Sequence, residues 1–473
     1  GRKQVLRDES AAVVAGRADA RERLLGSGDE RPELLQAFEI YTRGMRAAGL
    51  LDFDDLVALA ADLLERDDEV RGLLRQRFNW ISIDEYQDVD AAQYRLVSLL
   101  APPPANLCAI GDPDQSIYGF RGSDPRFFRR FQQDYPGACV FALTANYRSG
   151  SHIVKASSQV LAGSAADHRQ LQAQLETTGT ITIHQAASER AEAEFVVQSI
   201  ERLIGGHSFF SVDSGRSGSG AAATTSGAER ADLSFADFAV LLRTEAQAEP
   251  VREALARSGI PFQLRSPHRL FEQPGVRDLI LRLDPVADPI PATCNALDAL
   301  REAARKLSGE AAGEEKEAAA QRIRSVLEML EPLALACGSD IARFCREVML
   351  GEQIDTWDPR ADRVSILTLH AAKGLEFPVV FILGCEQGIL PLLWPDDDPT
   401  AVEEERRLFY VGMTRSRQLL YLCHARKRRW QGRIRPGEPS PFLQDIQQEL
   451  LERSQAAGRK KRRPDPDGQL ELF

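Results

Sequence analysis

Trp80-Ile81-Ser82-Ile83-Asp84-Glu85-Tyr86-Gln87-Asp88 decides how the rest of this chain is read. A short apolar run breaks off into adjacent carboxylates, the pattern of a buried strand that delivers acids at a sheet edge. In nucleotide-hydrolysing α/β folds, one acid so placed holds Mg²⁺ and its neighbour orients or deprotonates the attacking water. A solvated acidic loop explains Asp84-Glu85 alone equally well; the full five-residue string from Asp84 to Asp88 favours the site.

Outward from this stretch the rhythm repeats. Leu107 to Ile110 ends in Gly111-Asp112, and Cys139 to Leu143 runs into Thr144-Ala145-Asn146. Further apolar runs lie at Thr180 to His184, Phe238 to Leu242, Val364 to Leu369, Pro378 to Leu383 and Leu419 to Cys423. Such runs, separated by segments of helical period, predict an α/β fold with parallel sheets covered on both faces. Leu34, Leu35, Phe38 and Tyr41 fall at helical spacing, and Phe53-Asp54-Asp55-Leu56 opens a helix toward Leu74 with Asp54 as its cap. The Ser/Gly/Ala/Thr-rich stretch from Ser211 to Ser226 reads as a flexible inserted loop. Asp284 to Trp357 has no strand signal and reads as a small helical insertion.

Gly111-Asp112-Pro113-Asp114-Gln115-Ser116-Ile117-Tyr118-Gly119-Phe120-Arg121-Gly122 follows the second strand. Its glycines permit close backbone approach, and the Gln115 amide suits a phosphate oxygen or a water. Tyr118, Phe120 and Arg121 put aromatic and guanidinium faces on one loop, as stacking on unpaired bases requires. Phe120 taken alone reads more often as a core residue; the spacing of the whole block argues otherwise. Arg148, just after a strand, and Arg415, in a helix-like segment, are each a surface charge by default and otherwise partners for a γ-phosphate.

Composition narrows the field. The 473 residues carry 43% hydrophobic and 27% charged residues, enough for about three domains of roughly 150 residues. No apolar run approaches the roughly 20 residues a membrane span needs. The seven cysteines are odd in number and lack CxxC or zinc spacing, which fits free thiols in a reducing cytosol. A net charge of −11 disfavours a uniformly basic DNA-coating surface but leaves room for a local basic channel.

Taken in order, these strings resemble the motifs of UvrD/Rep-type superfamily-one DNA helicases. Asp84 to Asp88 matches motif II, Gly111 to Gly122 motif III and Leu143 to Ser149 motif IV; Thr368 to Phe377 matches motif V and Glu403 to Arg417 motif VI. Phe53 to Leu56 matches a short element upstream, so the resemblance runs from about Leu35 to Trp430.

The resemblance implies RecA-like P-loop NTPase parallel sheets with helical insertions, the first lobe partial and the second complete. The expected division is 1–50, a remnant of the first lobe's helical insertion; 51–143, the partial first lobe; 144–283 with 358–450, the second lobe, containing the loop 206–232; 284–357, a reduced helical insertion; and 451–473, a disordered tail. It implies ATP and Mg²⁺, with Asp84 and Glu85 at the metal and Glu85 as general base. Gln115 would sense the γ-phosphate and Arg148 and Arg415 contact it. Tyr147 would stack on adenine, with Gly374 and Glu376 toward the nucleotide and Glu376 on the ribose. Tyr118, Phe120, Arg121 and His370 would line a single-strand path. The implied protein is a bacterial, cytoplasmic, nucleoid-associated 3′–5′ translocase acting on single-stranded DNA and single-strand/duplex junctions in repair or replication, with no membrane role.

The pattern also departs from the family. No G-x-x-x-x-G-K-[ST] occurs anywhere in the sequence, so an N-terminally truncated or split helicase that cannot hydrolyse ATP alone is expected. The alternative is a catalytically inert scaffold that binds DNA and the sliding clamp; a helicase–nuclease is disfavoured because little sequence follows motif VI. Gln469-Leu470-Glu471-Leu472-Phe473, after the basic run Arg459 to Arg463 and Pro464 to Gly468, resembles a bacterial sliding-clamp docking peptide through Gln469, Leu470, Leu472 and Phe473. Arg426 to Arg429 reads as a phosphate-contacting patch or as solvated charge.

Overall fold

The structure, a computed structural model, describes residues 32–47, 49–162, 170–205, 233–265, 275–283, 295–310, 316–350, 358, 360–393, 399–430 and 433–455. Two compact units are present: one from Gly1–Ala145, Val160–Leu171 and Leu393–Val411, the other from Asn146–Gln159, Gln172–Leu392 and Gly412–Phe473. Leu393–Val411, which falls wholly within the expected second lobe, clusters with the first unit. Among the described residues no helix is long and apolar enough to cross a membrane.

In the first unit, helices Pro32–Ala47, Phe53–Arg66 and Asp68–Arg77 precede strand β1 (Ile81–Ile83). The second helix is capped by Asp52, not Asp54: Asp52 Oδ1 accepts from the Asp55 N–H (2.8 Å), and the Asp55 carboxylate accepts from the Asp52 N–H (3.3 Å). Two reciprocal bonds outweigh the one that a cap inside the first turn offers. The run toward Leu74 is two helices because Asp67 turns the chain and accepts from the Glu69 and Val70 N–H groups. β1 pairs in parallel with β2 (Leu107–Ala109), Ile81 opposite Leu107 and Ile83 opposite Ala109. The ladder continues past both strands, the Ile110 N–H donating to Ile83 O (2.8 Å) and the Tyr86 N–H to Ile110 O (2.9 Å). The Tyr86 ring is buried against Phe128 and Phe131 of helix Pro125–Asp134, which pins the acidic loop from below.

One expected strand does not form. Cys139 to Leu143 has strand composition, yet Val140, Phe141 and Leu143 are exposed, Phe141 by 86%. A strand needs a neighbour's backbone groups, and among the described residues this unit's sheet is β1 and β2 alone. Regular pairing resumes at β3 (Ala145–Asn146) with β4 (Gln172–Ala173).

The second unit is built on β5 (Thr180–Ala186), β6 (Phe238–Leu242), β7 (Phe262–Arg265), β8 (Val364–Thr368), β9 (Phe377–Ile382) and β10 (Ser416–Ala425). The hairpin β11 (Lys427–Trp430) and β12 (Arg433–Pro436) follows, then β13 (Leu451–Gln455). Seven strands form one parallel sheet in the order β13-β5-β10-β9-β6-β8-β7. Every residue of β6 is buried, as a central parallel strand requires. Helices Glu189–Ile204 and Ala248–Arg257 pack Val196, Ile200, Val251 and Leu255 onto one face, against Val240, Ile366 and Phe381. Helices Val276–Leu281, Ala296–Glu310, Lys316–Cys337 and Ile341–Leu350 enclose a separate core around Leu279, Leu300, Leu330 and Phe344.

The first five residues of the expected disordered tail are ordered. Leu451–Gln455 is the edge strand β13, paired in parallel with Ile181 to Gln185 of β5. Its polar sequence hides it, because an edge strand carries little of the apolar signal of a central one. The clamp-like residues Gln469, Leu470, Leu472 and Phe473 lie outside the described residues, as does the loop 206–232.

Candidate functional site

In the first unit, the end of β1 delivers Asp84 and Glu85, both exposed. Glu85 sits at φ 51°, the one non-glycine residue with positive φ among the described residues. A side chain in the left-handed region is strained, and such strain persists only where surrounding contacts over-determine it. Those contacts are visible. Asp84 Oδ1 accepts from the Glu85 N–H (2.9 Å), and the Gln87 amide donates to the Glu85 carboxylate. Gln87 is fully buried, and its Oε1 accepts from the Asp112 N–H (2.9 Å) at the end of β2. Gly111 is required here: a Cβ would stand 2.3 Å from Gln87 Oε1 and 3.1 Å from the Tyr86 nitrogen.

Gln115 lies on a 3₁₀ turn opened by Asp112 and donates to Asp112 Oδ2 (2.9 Å). Beyond it, Tyr118 and Phe120 hold their rings 6.1 Å apart, with Phe120 56% exposed; the Arg121 side chain lies outside the described set. Phe120 is therefore not a core residue. Helix Pro399–Met413 grips this loop: Arg407 Nε donates to Ser116 O (2.7 Å), and Glu404 accepts from the Gly119 N–H (3.1 Å). Glu404 and Arg407 fall inside the Glu403 to Arg417 string, yet sequence reasoning gave neither a role.

The second unit gathers the other candidates. Asn146 Oδ1 accepts from the Arg148 and Ser149 N–H groups (2.9 Å each), fixing a turn that leaves Tyr147 72% exposed. Gly150 passes so close to the 178–179 backbone that a Cβ would lie 2.5 Å from the Gly179 nitrogen. Arg148 Nε donates to Glu376 Oε2 (2.6 Å), and Arg417 approaches the other carboxylate oxygen at 3.8 Å. Gly374 takes a positive φ of 81° in the turn after β8, the turn that also carries half-buried His370. Arg415 is buried in the turn between helix Pro399–Met413 and β10, not within a helix, and donates to Leu375 O (3.2 Å) and Thr414 Oγ1 (3.1 Å). The structure thus joins Arg148 to Glu376 and ties Arg415 to the residue before Glu376. Arg417, which braces Glu376, was missed.

The cationic run after β10 is a different case. Arg426, Lys427 and Arg429 are exposed, but Arg428 is buried and belongs to neither expected category. Its guanidinium donates to both oxygens of Glu386 (3.1 Å each from Nε, 2.8 Å from Nη2) and to Glu192. Glu192 also accepts from the Gly384 N–H (3.1 Å), and Glu386 from the Ala425 N–H (2.7 Å). Burial raises the Glu192 carboxyl above the usual carboxylate range despite the attraction of Arg428.

Exposed adjacent carboxylates at a strand end, beside a glycine-cleared amide, suit a hydrated divalent cation and a phosphate better than a caged metal. Among the described residues no group of three or more His, Cys, Asp or Glu side chains is placed to hold a metal ion.

Similarity to known proteins covers most of the chain. Residues 16–136 match the UvrD/REP helicase N-terminal domain, and residues 141–292 and 292–427 match the UvrD-like helicase C-terminal domain. The chain is 29% identical to the ATP-dependent DNA helicase PcrA of Leuconostoc citreum, covering 88% of this chain and 63% of that protein. It is 30% identical to the ATP-dependent DNA helicase UvrD1 of Mycobacterium tuberculosis, covering 92% of this chain and 66% of the relative. With PcrA of Staphylococcus aureus the identity is 28%, over 90% of this chain and 65% of the relative. The chain therefore spans about two thirds of the length of these relatives. With both domain descriptions matched in order over most of its length, this chain belongs to the UvrD/Rep helicase family.

Proposed function

We propose that this chain supplies the ATP-hydrolysing and single-strand-tracking machinery of an ATP-dependent 3′–5′ DNA helicase acting in bacterial repair or replication. The observation that carries the proposal is the Asp84-Glu85 pair at the end of β1, with Glu85 held in a left-handed backbone. Asp84 would hold Mg²⁺. When bound, that ion neutralises charge on the β- and γ-phosphate oxygens. Glu85 orients the attacking water and accepts its proton, and Gln115 presents its amide to the γ-phosphate. Arg148 and Arg415 neutralise charge that develops on the transferring phosphoryl group. Tyr147 offers an exposed ring face to adenine, with Gly374 and Glu376 serving the ribose side. Tyr118, Phe120, Arg121 and His370 contact unpaired bases, and the grip of Glu404 and Arg407 on the 116–119 backbone ties that loop to the motif VI helix.

The lack of a G-x-x-x-x-G-K-[ST] string among the 473 residues supports a phosphate grip supplied from outside them, by further sequence or by a partner. In strand-displacement assays, the complete natural protein should unwind a duplex with a 3′ single-stranded tail and leave a 5′-tailed one intact. The 473 residues alone should do neither. Equal unwinding of both substrates would overturn the polarity, and turnover of ATP by the 473 residues alone would overturn the external grip. An inert scaffold predicts DNA binding without displacement in every form. The terminal pentapeptide supports a second partner, the bacterial sliding clamp, through Gln469, Leu470, Leu472 and Phe473. Deleting Gln469 to Phe473 should abolish clamp pull-down; undiminished capture would remove the clamp from the account.

A further inference from the structure

We infer that Gln87 is a positioning residue that couples the general base Glu85 to the phosphate-facing Gln115 through Asp112, so that the two groups shift together. The inference rests on the assignment of Glu85 and Gln115 made above and extends it to a fully buried residue.

The chemistry at each end of the Gln87 amide fixes its orientation. A carboxylate only accepts and a backbone N–H only donates, so Nε2 must face Glu85 and Oε1 must face Asp112. The reversed amide would set oxygen against carboxylate and N–H against N–H. Three hydrogen bonds then run without interruption: Gln87 Nε2 to Glu85 Oε2, Asp112 N–H to Gln87 Oε1 (2.9 Å), and Gln115 Nε2 to Asp112 Oδ2 (2.9 Å). The Gln87 carbonyl adds a tie to the same loop, accepting from Ser116 Oγ at 3.3 Å.

A buried glutamine that only filled space would not need this much provision. Gln87 is fully buried, and Gly111 leaves room for its oxygen where any Cβ would collide. The residue at the far end of the amide, Glu85, is the one whose backbone is strained. Methionine has the length of glutamine but neither its donor nor its acceptor. Glutamate keeps the acceptor and turns a second carboxylate toward Glu85.

The test compares Gln87→Met with Glu85→Gln in single-strand-stimulated ATP turnover by the complete natural protein. It also follows the Gln115 side-chain amide resonance in the ¹⁵N-glutamine-labelled chain. Gln87→Met should lower kcat by about 10- to 100-fold while KM for ATP stays within about threefold, as loss of orientation without loss of binding does. The Gln115 amide resonance should move in the folded variant. An unchanged kcat, a loss that only tracks the folded fraction, or an unmoved resonance would overturn the coupling. If Gln87→Met proves unstable, the exchanged pair Glu85→Gln with Gln87→Glu again sets one donor between acceptors. It should return the Gln115 resonance toward its original position without restoring turnover, and a resonance that stays displaced overturns the coupling. Turnover retained by Glu85→Gln would instead remove the functional assignment on which the coupling rests. An inactive Glu85→Gln beside a fully active Gln87→Met leaves that assignment standing and removes the coupling alone.

Discussion

Glu85→Gln should reduce single-strand-stimulated ATP turnover by about 10²- to 10⁴-fold, the usual contribution of a positioned general base. The substitution keeps the length and shape of the side chain, and its amide oxygen can still accept from Gln87. It also keeps the left-handed backbone at φ 51°, which the Asp84–Glu85 hydrogen bond helps to hold. Affinity for ATP and for single-stranded DNA should therefore stay within a few-fold of the parent, because Asp84 and the residues proposed to face the nucleotide and the DNA are unchanged. The loss should fall on kcat. Steady-state kinetics with poly(dT) as activator measures it, and a fall of less than about tenfold would mean that another group takes the proton.

Arg428→Ala should destabilise the second unit by about 3–5 kcal/mol. The guanidinium is the shared partner of Glu192 and Glu386, which are 1% and 2% exposed. Removing it leaves two carboxylates facing each other in a buried space, a costlier state than never having had the trio. The pH dependence follows from the sign of the Glu192 shift. Burial already raises its carboxyl, and without Arg428 the opposing attraction is gone, so the folded variant prefers Glu192 protonated. A raised carboxyl contributes its stability below the unfolded pKa and loses it as pH rises through the folded one. The variant's deficit should accordingly be smallest near pH 4.5 and widen toward pH 8. Urea unfolding at several pH values reads this directly. A loss below about 1 kcal/mol at pH 8 would show that water or rearrangement replaces the guanidinium.

The residues that were legible in the sequence share a local signal. Phe238–Leu242 reads as a central strand because all five of its side chains are buried and apolar. The acidic string reads as a site because Asp84 and Glu85 follow their strand without a gap. Where the sequence misleads, the deciding partner lies far along the chain. Arg428 looks like one more cation in a basic run, and its partners stand 236 and 42 residues away. Gln87 sits inside the quoted motif, but its role emerges only when a residue 25 positions on, Asp112, turns its N–H toward it. Cys139 to Leu143 has the composition of a strand without a neighbouring strand to pair with, while β13 has the neighbour without the composition. Burial and pairing are properties of the fold around a segment, and composition reports them only when both sides of the segment are apolar.

Single-strand-stimulated ATP turnover by the complete natural protein, measured beside its Glu85→Gln variant, tests the central claim most directly. Turnover that rises steeply with single-stranded DNA and collapses in the variant is the predicted result. Turnover that ignores DNA, or that survives the loss of the Glu85 carboxylate, would contradict the account.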